Sequence, residues 1–295
     1  MKKNFLLGTD WWTDCDDAVA IRMLVRAARR GEIALCGIGI NAAMPCSVAS
    51  LDGFLQKEGL CGVPIGIDLA ATDFGGNPPY QERLAAYAPR YTENTEVMDA
   101  VRLYRSVLAN TDEPIEILEI GYLQVLAGLM ESTGDDISEK SGLTLLTEKV
   151  VHLWIMAGKW DKDGERENNF CRNARASIAA EKVCRLSPVP ITFLGWEVGY
   201  DVISGSRLRE GDILKDVLCD HGSHNGRSSW DPMLVLLALT GDAAQAGYGI
   251  VVGKATVDPE NGKNYFIEDK NGTHAYVVKT RENDFYRDAI DRLID

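Results

Sequence analysis

The chain has 295 residues, of which 45% are hydrophobic and 25% charged, and its formal net charge is -13. These are the proportions of an ordinary soluble globular protein, and the negative balance argues against a nucleic-acid or anionic-membrane surface, where phosphates would be repelled. The seven cysteines are scattered and odd in number with no CxxC pair, which favours reduced thiols in a cytoplasmic setting over a disulfide framework or a zinc site.

From the start, Met1-Lys2-Lys3 is basic, but the apolar run Phe5-Leu6-Leu7 ends at Gly8, too short for a secretion signal. No later run approaches the length of a membrane helix. Short β-rich runs then alternate with longer helical patterns, the signature of βαβ units around a mainly parallel sheet. Strands are expected over residues 4–9, 33–40, 63–67, 114–120, 150–156 and 190–194. Helices are expected over 16–30, through 50–55, and over 95–108, 123–130, 176–185 and 232–239. Residues 247–256 and 265–280 are strand-like and split by Asp258-Pro259-Glu260-Asn261-Gly262, a turn signal that suggests a late β-hairpin. Asn271-Gly272-Thr273 also reads as a turn. A closing helix is expected over 284–294. With no repeat and no linker, residues 1–295 read as one α/β domain, an open, mainly parallel Rossmann-like sheet with helices on both faces.

Ligands of such sheets sit beyond the carboxyl ends of the strands. The residues at those places are Asp10, Asn41, Gly121-Tyr122, Gly158-Lys159-Trp160 and Glu167-Asn168-Asn169. Between the first strand and helix, Thr9-Asp10-Trp11-Trp12-Thr13-Asp14-Cys15-Asp16-Asp17-Ala18 holds four aspartates. Asp16 and Asp17 suit a helix start, which accounts for two acids and not four. Clustered carboxylates repel one another unless a cation neutralises them, and an oxygen-only set selects calcium or magnesium over zinc. Other motifs fail. Asp161-Lys162-Asp163-Gly164 lacks EF-hand spacing, Cys15 between acids is a poor thiolate, and Gly75-Gly76-Asn77-Pro78-Pro79 leads into a proline turn rather than a phosphate loop. A phosphatase with an aspartate nucleophile would need a phosphate-cradling Thr or Ser and a later Lys, which do not stand in the expected places.

Asp10-(x)5-Asp16-Asp17-Ala18, behind an apolar strand, resembles the N-terminal signature of the inosine-uridine-preferring nucleoside hydrolases. The commonest form of that signature is Asp-Thr-Asp-Pro-Gly-x-Asp-Asp-Ala; a longer form ends in Thr-Asp-x-Asp-Asp-Ala, and Thr13 to Ala18 matches it. The resemblance extends over most of the chain through Asn41, Ile120-Gly121-Tyr122-Leu123, Glu167-Asn168-Asn169-Phe170, Gly195-Trp196-Glu197-Val198-Gly199 and Ser229-Trp230-Asp231-Pro232. It implies a nucleoside or riboside as substrate and a calcium ion held by the side chains of Asp10, Asp17 and Asp231 and by the Ile120 carbonyl. That ion would also hold two ribose hydroxyls and a water, whose proton Asp10 would accept as general base. Asp16 would hydrogen-bond a ribose hydroxyl, with Asn41, Glu167 and Asn169 holding the rest of the sugar. The family is commonly dimeric or tetrameric, so the resemblance implies a homodimer or homotetramer.

The chemistry suits these residues. Breaking an N-ribosyl bond passes through an oxocarbenium-like sugar that carboxylates stabilise, and a cation eases deprotonation of a water. Three departures from the pattern stand out. Gly8 takes the place of the first aspartate, so an acid behind the ligands is missing. Trp11-Trp12 replaces Pro-Gly or Ile-Gly. Trp230 stands where many members have a histidine that protonates the leaving base. The tryptophans either pack in the core or stack on a base or hydrophobic aglycone; Trp12 and Trp230 are the substrate-binding candidates. His221 and His224 could replace the missing acid from a mobile loop. Asp14 has no assigned role and is the rival for the base. The departures leave two alternatives: a hydrolase of a non-nucleoside riboside, and a non-catalytic calcium-dependent ribose- or sugar-binding protein.

Overall fold

β1 (Lys3–Thr9) and β2 (Ile33–Ile40) are nearly continuous apolar runs, as strands covered on both faces must be, and they pair in parallel within an eleven-stranded sheet. The computed structural model describes residues 2–12, 14–76 and 78–295. Met1 of the chain start, Thr13 of the acidic motif and Asn77 of the glycine-proline turn lie outside the described residues. α1 (Asp16–Arg29) crosses between the two strands, with acids in its first turn and arginines in its last, the order that its dipole favours. α2 (Ser47–Glu58) stops at Gly59, whose φ of 76° makes the left-handed cap that glycine adopts without strain. β3 (Ile65–Ile67), the short α3 (Gln81–Ala85) and the edge strand β4 (Met98–Asp99) follow.

The helix expected from residue 95 begins later. α4 (Ala100–Ala109) starts where the Asp99 carboxylate accepts hydrogen bonds from the Val101 and Arg102 amides, a cap that fixes the first turn. Met98 and Asp99 pair with β3 instead. Next come β5 (Ile115–Glu119), α5 (Gln124–Glu131), α6 (Gly142–Lys149), β6 (Val150–Met156), β7 (Glu165–Arg166) and α7 (Asn168–Cys171). α8 (Ala174–Leu186), β8 (Ile191–Leu194), α9 (Trp196–Gly199), β9 (Ile203–Ser204), α10 (Ile213–Asp220), β10 (Arg227–Ser228) and α11 (Trp230–Thr240) lead to the last section. There β11 (Tyr248–Val257), β12 (Lys263–Glu268) and β13 (His274–Lys279) precede α12 (Asn283–Ile294). α6 and α10 were not among the expected helices.

Strand order is β4-β3-β2-β1-β5-β6-β8-β13-β11-β12-β7, parallel from β4 to β13 and antiparallel beyond. The expected hairpin is present as β11 and β12 across the 258–262 turn. Its second piece is two strands rather than one, broken at Asp269–Gly272, where the Gly272 amide donates to the Asp269 carbonyl. Gly272 is required there, because a Cβ would lie 2.0 Å from the Gly253 carbonyl oxygen. Along β1, Phe5 and Leu7 face one apolar layer, with α1, α2, α11 and α12, while Leu6 faces the other, with α4, α5, α6 and α8. No helix among the described residues is long and apolar enough to cross a membrane.

Candidate metal and ribosyl site

Asp10 is the first residue beyond β1 and Ile120 the first beyond β5, while Met156 ends β6; all three line one cavity of about 410 Å³, within the range of small-molecule sites. α1 and α11 bring their first turns to the same place. The Asp231 amide donates to Asp16 Oδ2 at 3.1 Å although the two residues are 215 positions apart. One carboxylate oxygen each from Asp16, Asp17 and Asp231 can be chosen so that all three lie within 4.8 Å of one another. Thr9 Oγ1 donates to Asp17 Oδ1, and the Trp12 amide donates to Asp10 Oδ1 at 3.3 Å.

These carboxylates are buried, and among the described residues none of Asp10, Asp16, Asp17 and Asp231 forms an ion pair. Burial, then repulsion from Asp16 and Asp14, raises Asp10 to about 8. Burial and the neighbouring acids likewise push Asp16, Asp17 and Asp231 well above the ordinary carboxylate range. Arg227, already paired with Asp14, eases Asp16 only in part, so among the described residues the group is short of positive charge. An all-oxygen donor set of this kind fits a hard divalent cation, so the residues present suit the ion that the sequence implied.

Asp14 differs. Burial raises it, but Arg227, donating from Nε at 2.8 Å and Nη2 at 2.6 Å, holds it below the ordinary range. It is the one acid of the motif with its own fixed cation.

The cavity gathers Asp10, Trp12, Asp16, Asp17, Ile120, Glu167, Asn169, Trp230 and Asp231 of the expected site. Asn41 is the exception. It is fully buried just beyond β2, where its Oδ1 accepts from the Tyr122 amide at 3.0 Å and its Nδ2 has no partner among the described residues. Gly121 lets it approach, since a Cβ there would lie 2.3 Å from the Asp10 amide nitrogen and 2.7 Å from Asn41 Oδ1. Glu167 caps α7 and accepts from the Asn169 and Gly158 amides; burial raises it to about 7. The Asn169 side chain donates to the Met156 carbonyl at 2.9 Å, which ties α7 to the end of β6.

The adjacent tryptophans point apart. Of the two alternatives open for Trp11, the structure shows core packing: it is fully buried, against Phe54 and Tyr80, with Nε1 donating to Ser50 Oγ at 2.8 Å. The reason is its backbone, at a φ of 45°, a left-handed conformation that bulky residues rarely adopt. That reversal turns Trp12 toward the cavity, beside Phe74 and Tyr122. Trp230 and Trp196 also line the cavity, with Trp230 Nε1 donating to the Trp196 carbonyl at 2.8 Å.

Sequence reasoning assigned no role to Arg172, Met156 or the Asp14–Arg227 pair. The Arg172 guanidinium lies 4.5 Å from the Trp12 ring centre and donates to the Phe74 carbonyl, and nothing in its local sequence signals either contact. His221, expected in a mobile loop, terminates α10; its Nδ1 lies 2.8 Å from Ser223 Oγ and its Nε2 4.0 Å from Asp14 Oδ1. Neither His221 nor His224 lines the cavity.

No family model and no curated protein matches the sequence. Solved structures do. The chain is similar to the inosine-uridine preferring nucleoside hydrolase of Bacillus anthracis, at 16% identity and a TM-score of 0.69, over 100% of this chain and 99% of that one. It is similar to the purine-preferring ribonucleoside hydrolase of Gardnerella vaginalis, at 17% identity and a TM-score of 0.70, over 99% of each chain. The type III effector protein XopQ, solved in complex with adenosine diphosphate ribose, matches at 16% identity and a TM-score of 0.70, over 100% of this chain and 94% of that one. At such identities the likeness is one of fold: the chain is a divergent, nucleoside hydrolase-like α/β structure.

Proposed function

We propose that this chain is a calcium-dependent hydrolase of the N-glycosidic bond of a ribonucleoside or related N-riboside. The observation that carries this reading is the group of buried carboxylates with no ion pair among the described residues, Asp16, Asp17 and Asp231 beside Asp10, at the carboxyl end of a nucleoside hydrolase-like sheet. Asp10, Asp17, Asp231 and the Ile120 carbonyl hold the cation. Calcium, when bound, orients the ribose diol and makes a water easier to deprotonate.

The protein's own groups do the rest. Asp10 takes the proton of the attacking water as the water's oxygen bonds to the anomeric carbon; the bond to the aglycone nitrogen breaks, and the nitrogen leaves with the bonding pair and takes a proton from solvent. Asp16, Glu167 and Asn169 hold the sugar, with Asn41 behind them, and the surrounding carboxylates favour the positive charge that develops on it. Trp12 and Trp230 clasp a flat aglycone and keep water from it. The same reading makes residues 1–295 one domain and the working form a homodimer or homotetramer.

The test is release of reducing sugar from a panel of nucleosides and ribosides, with calcium or with chelator. Activity that needs calcium, is abolished in Asp10→Ala and is accompanied by weaker calcium binding in Asp231→Ala supports the reading. Full activity of Asp10→Ala rules out the base.

A second reading, a calcium-dependent binder of ribose or a ribosyl ligand without turnover, is favoured by one observation: among the described residues no histidine lines the cavity to protonate a leaving group. That XopQ was solved with adenosine diphosphate ribose is in keeping with it. Ribose binding with no turnover of any panel member would select it.

A further inference from the structure

Glu119 is the last residue of β5 and stands directly opposite Gly8 of β1. Its carboxyl group is fully buried. One oxygen accepts from the Tyr104 hydroxyl at 3.0 Å, and the other, Oε2, has no hydrogen-bond partner among the described residues. Leaving a buried carboxyl oxygen unpaired is unfavourable, so packing alone does not explain an acid here. The space it fills is that of a side chain at position 8: a Cβ on Gly8 would lie 1.8 Å from Glu119 Oε2 and 2.7 Å from the Tyr104 hydroxyl. Gly39, on β2, is bare for the same neighbour, since its Cβ would lie 2.7 Å from the Tyr104 ring. Positions 8 and 119 cannot both carry a side chain into this space.

What lies directly above is the candidate site. Asp10 follows two residues after Gly8, Ile120 one after Glu119 and Asn41 two after Gly39. Backbone hydrogen bonds join the three strand ends at this level, from the Ile120 amide to the Gly8 carbonyl at 2.8 Å and from the Asn41 amide to the Thr9 carbonyl at 2.9 Å.

We propose that Glu119 is a positioning residue for the metal site, its carboxyl filling from β5 the space beside the bare Gly8 of β1. Held between β1, β5 and the Tyr104 hydroxyl, it keeps the Asp10 segment and the Ile120 carbonyl at a fixed spacing. This inference rests on the cation reading of the site given under Proposed function.

The experiment is calorimetric titration of calcium chloride into the unaltered protein, Glu119→Ala, Glu119→Met and the transposed double variant Gly8→Asp/Glu119→Ala. Thermal unfolding in chelator is followed alongside. Gly8 has no positive φ, and Tyr104 reaches it with the free end of its side chain, so an aspartate fits once Glu119 is shortened.

Both single variants are expected to lose about 10–100-fold in calcium affinity, the usual effect of removing a group that orients metal ligands. The double variant is expected to recover most of that loss. Methionine keeps nearly the volume of the side chain without its carboxyl. If Glu119→Met binds calcium as tightly as the unaltered chain, Glu119 only packs and the proposal is overturned. A double variant that binds no better than Glu119→Ala overturns the role of a carboxyl in this space equally. Should Glu119→Ala not fold, the methionine and double variants decide by themselves. If the unaltered chain binds no calcium, the cation reading fails, and this inference with it; normal binding with unaffected variants sinks this inference alone.

Discussion

Trp11 and Trp12 are neighbours in sequence, yet the φ of 45° at Trp11 gives their side chains different surroundings and different consequences. Trp11→Ala empties a fully enclosed site against Phe54 and Tyr80 and is expected to cost about 3–5 kcal/mol of stability, the usual range for deleting a large core aromatic, seen as a lower denaturation midpoint. Trp12→Ala is expected to leave the midpoint closer to that of the unaltered chain and to weaken ligand binding about tenfold, the order of one aromatic contact. Calorimetric titration of ribosides checks the second effect; equal loss of stability in both variants would refute the division. The acids were legible at this scale because four carboxylates in eight residues have no ordinary structural use. The direction of each tryptophan was not legible. It depends on a backbone reversal that no side-chain pattern encodes, and both residues read equally well as core or wall. Asp14 was equally opaque, since its partner Arg227 lies 213 positions away.

At the scale of elements, the strand–helix alternation was readable because strands buried on both faces must be apolar at every position, and β1, β2 and β6 fall where those runs stand. The start of α4 was misplaced because the apolar period continues smoothly through residues 95–99, while the Asp99 cap and the pairing of β4 with β3 decide the boundary. Phe74 lies in the segment that precedes α3. Arg172, just past α7, donates from Nε and Nη2 to the Phe74 carbonyl and covers Trp12, so it ties that segment to the wall of the cavity. Arg172→Ala is expected to raise KM several-fold, about 1 kcal/mol for a charge-assisted hydrogen bond lost at a half-exposed position, with kcat less affected. Steady-state kinetics on any turned-over riboside separates the two. A fall in kcat with KM unchanged would place Arg172 in the chemistry instead.

For the whole molecule, the buried acids make stability depend on pH in a stated direction. Glu167 and Glu119 are raised by burial to about 7 and about 8 from 4.5, and Asp10 to about 8 from 3.8. The folded chain therefore holds protons that the unfolded chain has released, so stability falls as pH rises from about 5 to 8. Calcium reverses the trend, because ligands must be deprotonated to bind it. In chelator the denaturation midpoint should drop over that interval, and added calcium should raise it more at pH 8 than at pH 5. A midpoint indifferent to calcium at pH 8 would count against the cation site. The position of β1, between β2 and β5, has a kinetic consequence as well. Its partner on one side begins at residue 115 and the acid that completes the cluster is at 231, so the local contacts of the first hundred residues can form while both the sheet and the site wait. Pairings this distant in sequence close slowly, and until the β5 pairing closes an apolar strand with one open edge is exposed to self-association. An ion that binds only the closed arrangement acts as a latch on the final step, drawing late intermediates toward the native state and away from aggregates.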